Sequence, residues 1–168
     1  MRFTRILAAL VVASALTGTA LAASGSIAVV KVRATSLGST VVASDGKTLY
    51  MFARDTSTKS TCSGMCATYW PPLVTTGKPM AGPGVHAALL GTTHRADGKL
   101  QVTYHGHPLY FFANDKKAGA TIGEGIKAFG ANWFALSPAG LKIVSAPMTT
   151  TTTTTTTTPT TGGGGGYG

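Results

Sequence analysis

Residues 41–55 read VVASDGKTLYMFARD, and residues 101–115 read QVTYHGHPLYFFAND. The two segments share Gly, Leu, Tyr, Phe, Ala and Asp at matching positions, sixty residues apart. Such self-similarity at a fixed offset is typical of a duplicated supersecondary unit whose copies bury their apolar faces against each other. The sequence therefore predicts a domain of two related halves.

Each copy is predicted to be a β-hairpin. Asp45-Gly46 in the first copy and His105-Gly106 in the second separate two β-rich runs. A dipeptide with glycine in second place favours the tight turn that joins two antiparallel strands.

The strand that leaves each turn is apolar on both faces. Because side chains alternate along a strand, Tyr50 and Phe52 share one face, and Leu49 and Met51 share the other. Strands of this kind are usually covered on both sides. The predicted fold class is therefore mostly β: a small compact domain built from two hairpin-containing repeats with a pseudo-twofold relation.

Further elements follow from shorter patterns. Strands are predicted at Ile27–Arg33, Leu100–Tyr104, Trp133–Leu136 and Leu141–Ser145. Three glycines and no clear period predict a loop over Thr121–Gly130.

Residues 1–22 are predicted to be a secretory signal peptide. A basic start precedes an apolar run, Ile6–Leu16, that is too short to span a bilayer, and Ala20-Leu21-Ala22 is a small-x-small cleavage site. Cleavage between Ala22 and Ala23 would leave a mature chain without a transmembrane span, either secreted or held in the periplasm or cell envelope.

Residues 148–168 are predicted to be a disordered tail, because a threonine run followed by glycines cannot bury a core. The β-rich domain is then expected at residues 23–147, with repeats at about 38–75 and 98–138.

Charge narrows the choice of partners. The chain has 14 Lys and Arg against 5 Asp and Glu, a formal net charge of +9. This balance favours anionic envelope polymers or a lipid surface, and the scattered basic residues argue against nucleic acid. The sequence contains no phosphate loop, dinucleotide fingerprint or nucleophile motif.

Two further motifs lie between the copies: Cys62-Ser63-Gly64-Met65-Cys66 and Trp70-Pro71-Pro72-Leu73. Together with the two Y-x-F-x-x-D strands, they make residues 38–138 resemble the bacterial family of secreted proteins and predicted lipoproteins with the Yx(FWY)xxD motif. The resemblance implies an exported, envelope-associated β domain with no established reaction. The resemblance also implies that some relatives are associated with the breakdown of alkanes.

Eight motif residues are the principal site candidates, and each has two interpretations. Aromatic residues at matched repeat positions favour a core, although they could line a groove for a sugar or hydrocarbon. Aspartates that end equivalent strands favour capping, although they could pair as acid and base. The eight residues are Tyr50, Phe52, Asp55, Trp70, Tyr110, Phe112, Asp115 and Trp133.

Cysteines and histidines provide the remaining candidates. Cys62 and Cys66 are close in sequence and predicted to be exported, which favours a disulfide over a redox-active pair. His105 and His107 straddle a turn and are candidates for a soft metal such as copper, although histidines are ordinary at exposed turns.

The sequence thus assigns no catalytic residue, no cofactor and no firm metal site. The function it favours is a non-enzymatic binding or structural role in the cell envelope. The alternatives are a metal-binding or electron-transfer accessory, and an enzyme or accessory acting on hydrophobic compounds.

Overall fold

The computed structural model describes residues 25–56 and 58–144. The predicted signal peptide and the predicted tail lie outside the described residues. Within them, the domain is mostly β, as predicted. The elements are β1 (Val29–Thr35), β2 (Gly38–Ala43), β3 (Tyr50–Phe52), α1 (Met65–Tyr69), β4 (Met80–Ala81), a 3₁₀ helix (Ala87–Leu89), β5 (Leu90–His94), β6 (Leu100–Tyr104), β7 (His107–Pro108), β8 (Lys127–Ala128) and β9 (Ala131–Ala135).

The strands form three small sheets, ordered β2-β1-β4, β3-β9-β8 and β5-β6-β7. β4 runs parallel to β1, and the other neighbouring strands are antiparallel. Tyr50 and Tyr110 form an antiparallel bridge between the repeats, with N···O distances of 2.8 and 2.9 Å. A pseudo-twofold relation between the repeats explains why these equivalent residues exchange both backbone hydrogen bonds.

Both predicted turns are present. His105-Gly106 connects β6 to β7 with positive φ values of 49° and 79°, and Gly46 has a φ of 85°. Glycine adopts this conformation without a steric penalty. The turn residues therefore fix the register in which each outgoing strand leaves.

The outgoing strands are covered on both faces, as their alternation predicted. One face packs into an aliphatic-rich core with Leu49, Met51 and Leu109, and the other packs into an aromatic core with Tyr50 and Tyr110. The motif strands therefore lie between the two cores of the domain.

Two local predictions were wrong, and one element was not predicted. The sequence showed no sign of α1, which has five residues and starts after Gly64 without a side-chain cap; one turn is too short to show a helical period. β8 lies inside the predicted loop, at Lys127–Ala128. Of the predicted strand Leu141–Ser145, the residues described up to Val144 contribute one bridge, between Leu136 and Lys142.

Candidate functional site

Four aromatic rings form a continuous stack at the centre of the domain. Trp70 and Trp133 lie face to face, with centroids 3.9 Å apart and planes 4° from parallel. Phe52 stacks on Trp133 at 4.1 Å, and Phe112 stacks on Trp70 at 4.4 Å. The rings alternate between the repeats, because each phenylalanine covers the tryptophan of the other repeat.

The two motif tyrosines close this stack from the side. Tyr50 meets Trp70 edge-on at 5.5 Å, and Tyr110 meets Trp133 edge-on at 5.2 Å. Edge-to-face geometry places the positive ring edge against the negative ring face, which is favourable beyond burial alone. The six aromatic candidates therefore meet in one core.

The tyrosine hydroxyls reach across to the aspartates of the opposite repeat. Tyr50 donates to Asp115 Oδ2 at 2.6 Å, and Tyr110 donates to Asp55 Oδ2 at 2.7 Å. In the part of the chain that the structure describes, no hydrogen bond joins the two carboxylates. The geometry thus pairs each aspartate with a tyrosine rather than with the other aspartate.

Burial governs the ionisation of these groups. Burial and then the hydrogen bond to Asp115 raise the pKa of the Tyr50 hydroxyl, and burial also raises the pKa of Tyr110. Both hydroxyls therefore remain protonated donors at neutral pH. Burial raises the pKa of Asp115 as well, and its hydrogen bonds from Tyr50 and Ile122 oppose that rise.

The remaining carboxylate oxygens hold the loops that follow the strands. Asp55 Oδ1 accepts from the backbone N–H of Thr61 at 2.7 Å and from its hydroxyl at 2.8 Å. Asp115 Oδ1 accepts from the backbone N–H of Ile122 at 3.0 Å. Through these hydrogen bonds, each aspartate connects the loop that follows its own strand to a tyrosine of the other repeat.

Sequence reasoning missed Arg95, which is only 8% exposed. Its guanidinium donates to Ser60 Oγ, Gln101 Oε1 and the carbonyl of Cys62, each at 2.7 Å. Ser60 in turn lies 2.8 Å from the Tyr110 hydroxyl. No sequence signal distinguishes this arginine from a solvated one, because two of its partners, Ser60 and Cys62, lie 35 and 33 residues away in the chain.

Cys62 and Cys66 form a disulfide with a Cα–Cα distance of 5.3 Å, as predicted. Both are buried in the aromatic core. Cys66 lies in α1, and its carbonyl accepts the backbone N–H of Trp70 at 2.8 Å. The disulfide thus fixes the short helix that positions one of the stacked tryptophans.

The two histidine candidates lie at the turn between β6 and β7 and are not members of the aromatic core. His105 is exposed, and its ring centroid lies 6.4 Å from that of His107. Burial, and then the neighbouring His105, lower the pKa of His107. Among residues 25–56 and 58–144, no group of three or more His, Cys, Asp or Glu side chains is placed to hold a metal ion.

Comparison with known proteins identifies the repeats. The model of a family described as a secreted repeat of unknown function matches residues 31–74 and 91–137, which together are more than half of the chain. The chain belongs to this family of secreted repeats. The matched segments begin earlier than the repeats predicted from the sequence, so they include most of β1 and β5, the partners of β2 and β6.

Comparison with curated proteins and with solved structures identifies no further relative. No curated protein and no solved structure matches the chain significantly. The family is one of secreted proteins, which agrees with a secreted or envelope location. Among the described residues, no helix has the length and apolar character needed to cross a membrane.

Proposed function

We propose that this secreted repeat is a cell-envelope domain with a binding or structural role and no reaction of its own. The observation that carries the proposal is the reciprocal pairing of Tyr50 with Asp115 and of Tyr110 with Asp55. These aspartates are the strongest acid–base candidates in the sequence, and each has its partners inside the domain.

The occupancy of the carboxylate oxygens supports this role. A general acid or base must lie within hydrogen-bond reach of a substrate proton. Asp115 instead receives a tyrosine hydroxyl on one oxygen and a backbone N–H on the other. Asp55 receives a tyrosine hydroxyl on one oxygen and two donors from Thr61 on the other. Carboxylates bonded in this way are suited to joining the repeats.

A double-mutant cycle on Tyr50→Phe and Asp115→Ala tests the proposal. We expect each single change to lower the free energy of unfolding by about 1–3 kcal/mol, since each leaves a buried polar partner unpaired. The double variant should lose less than the sum of the two, with a coupling of at least about 0.5 kcal/mol. Denaturant unfolding measures all four proteins.

Tyr69→Phe is the matched control, because Tyr69 is about half exposed. It should change stability by less than about 0.5 kcal/mol. Wild-type stability in both Tyr50→Phe and Asp115→Ala would contradict the structural role and favour a catalytic one.

A further inference from the structure

Three large apolar side chains are exposed together on one side of the aromatic core. Met65 and Tyr69 on α1 are 66% and 49% exposed, and Phe129, between β8 and β9, is 38% exposed. The rings of Tyr69 and Phe129 lie 6.2 Å apart. We call Met65, Tyr69 and Phe129 the apolar patch. Clustered exposed apolar residues mark interaction sites more often than scattered ones do.

Phe129 adopts a backbone conformation that does not suit its side chain. Ala128 pairs with Ala131, so Phe129-Gly130 is a two-residue turn, with positive φ values of 54° and 93°. Turns of this type favour Asn, Asp or Gly at the first position. A bulky residue with positive φ is strained, and such strain is concentrated at functional sites. The domain therefore retains an exposed aromatic ring at its hairpin tip at a cost in stability.

The side chain of Phe129 contributes to two cavities. One, of about 450 Å³, is also lined by Arg54, Met65 and the disulfide-bonded Cys66. The other, of about 250 Å³, is also lined by Tyr69 and Ile126. Phe129 therefore borders a concave surface with apolar lining residues on either side of the hairpin tip.

The charged side chain that lines the larger cavity is basic. Arg54 is exposed and donates to the carbonyl of Phe129 at 3.4 Å, and the exposed Lys127 lies two residues before Phe129. In the described part of the chain, no acidic residue lines either cavity. An apolar surface with basic residues at its edge is complementary to an anionic amphiphile.

We propose that the apolar patch docks this domain on an anionic lipid surface, with Phe129 entering the headgroup region and Arg54 and Lys127 contacting the headgroups. The proposal rests on the binding role proposed above. A second copy of the chain fits less well, because a twofold contact through this patch would bring Arg54 and Lys127 of both copies together.

Flotation of the mature full-length protein with vesicles tests the proposal. We expect binding to phosphatidylglycerol vesicles and about tenfold weaker binding to phosphatidylcholine vesicles. The decisive variant is Phe129→Asn, which creates an Asn-Gly turn suited to this hairpin. It should weaken binding by about tenfold and leave the thermal midpoint equal to or above that of the wild type.

Matched controls separate the patch from apolar surface in general. Leu141→Asn removes a 59% exposed apolar side chain elsewhere, and it should bind like the wild type. Arg54→Gln with Lys127→Gln should weaken binding to phosphatidylglycerol and reduce its dependence on salt. Lys78→Gln changes an exposed lysine outside the patch. It should leave both the binding to phosphatidylglycerol and its dependence on salt unchanged.

The results that would contradict lipid docking differ from those that would contradict the proposed function. If Phe129→Asn binds vesicles as tightly as the wild type does, the apolar patch is not the docking surface. Binding to a soluble anionic polymer or to dispersed alkane, without vesicle binding, would overturn the lipid surface as partner. Neither result would alter the Tyr50–Asp115 coupling, on which the structural role of the motif depends.

Discussion

Asp55 and Asp115 occupy equivalent places in the two repeats, but the domain buries them differently. Asp115 is 3% exposed, whereas Asp55 is only partly buried. Near Asp55, Ser60 connects the Tyr110 hydroxyl to the buried Arg95. The duplicated sequence therefore provides two similar hydrogen bonds in different surroundings, and the buried aspartate is the one to examine by titration.

The stability of the domain should depend on pH through Asp115. Burial raises its pKa in the folded protein above the ordinary value of 3.8. The folded state therefore binds the proton more tightly than the unfolded chain does. This contribution to stability is fully present below the ordinary pKa and is lost as the pH rises through the raised pKa. We expect the wild type to gain stability relative to Asp115→Asn as the pH falls from neutral toward the ordinary pKa of an aspartate, 3.8.

Denaturant unfolding of both proteins at each pH measures this difference. Other titrating groups, including His107, are present in both proteins and largely cancel. Asn114→Ala serves as the control, because Asn114 is exposed beside Asp115 and carries no titratable group, so the pH dependence of the wild type should persist. A wild type that loses stability relative to Asp115→Asn on acidification would contradict the raised pKa.

At the scale of elements, α1 should depend on its disulfide. The bond closes a short loop, and removing it should lower the free energy of unfolding by about 2 kcal/mol. Replacing both Cys62 and Cys66 with alanine, followed by a denaturant melt, measures this loss. Reducing the wild type should give a similar decrease. Ready alkylation of native, unreduced protein would contradict the disulfide, as would an unchanged melt of the double variant.

An element could be predicted from the sequence when the residues that determine it are adjacent in the chain. The turns at Asp45-Gly46 and His105-Gly106, and the two-faced strand after each, follow from adjacent residues, so the sequence was sufficient. The hairpin at Phe129 was missed because a phenylalanine at that turn position contradicts the usual turn preferences.

The contacts between repeats could be predicted only in part. Repetition indicated that the halves pack together, and the matched aromatic positions indicated a core. The sequence did not indicate that each tyrosine bonds to the aspartate of the other repeat. That exchange depends on the antiparallel bridge between Tyr50 and Tyr110, which joins residues far apart in the chain.

At the scale of the whole molecule, export should remove the leader. The basic start, the short apolar run and the Ala20-x-Ala22 site predict a mature chain that begins at Ala23. Mass spectrometry of the protein from culture supernatant and envelope fractions measures the N-terminus. Ala22→Arg should block cleavage, because the site needs a small residue. A mature protein that retains Met1 would contradict the prediction.

The two repeats should unfold as one cooperative unit. In the aromatic stack, Phe52 and Trp70 of the first repeat alternate with Trp133 and Phe112 of the second, so neither repeat has this core alone. Phe52→Ala and Phe112→Ala should each lower the free energy of unfolding by about 3–5 kcal/mol. Each change should also shift tryptophan fluorescence and far-ultraviolet circular dichroism together, in a single transition. Two separate transitions, or a substitution that destabilises only its own repeat, would show that the halves fold independently.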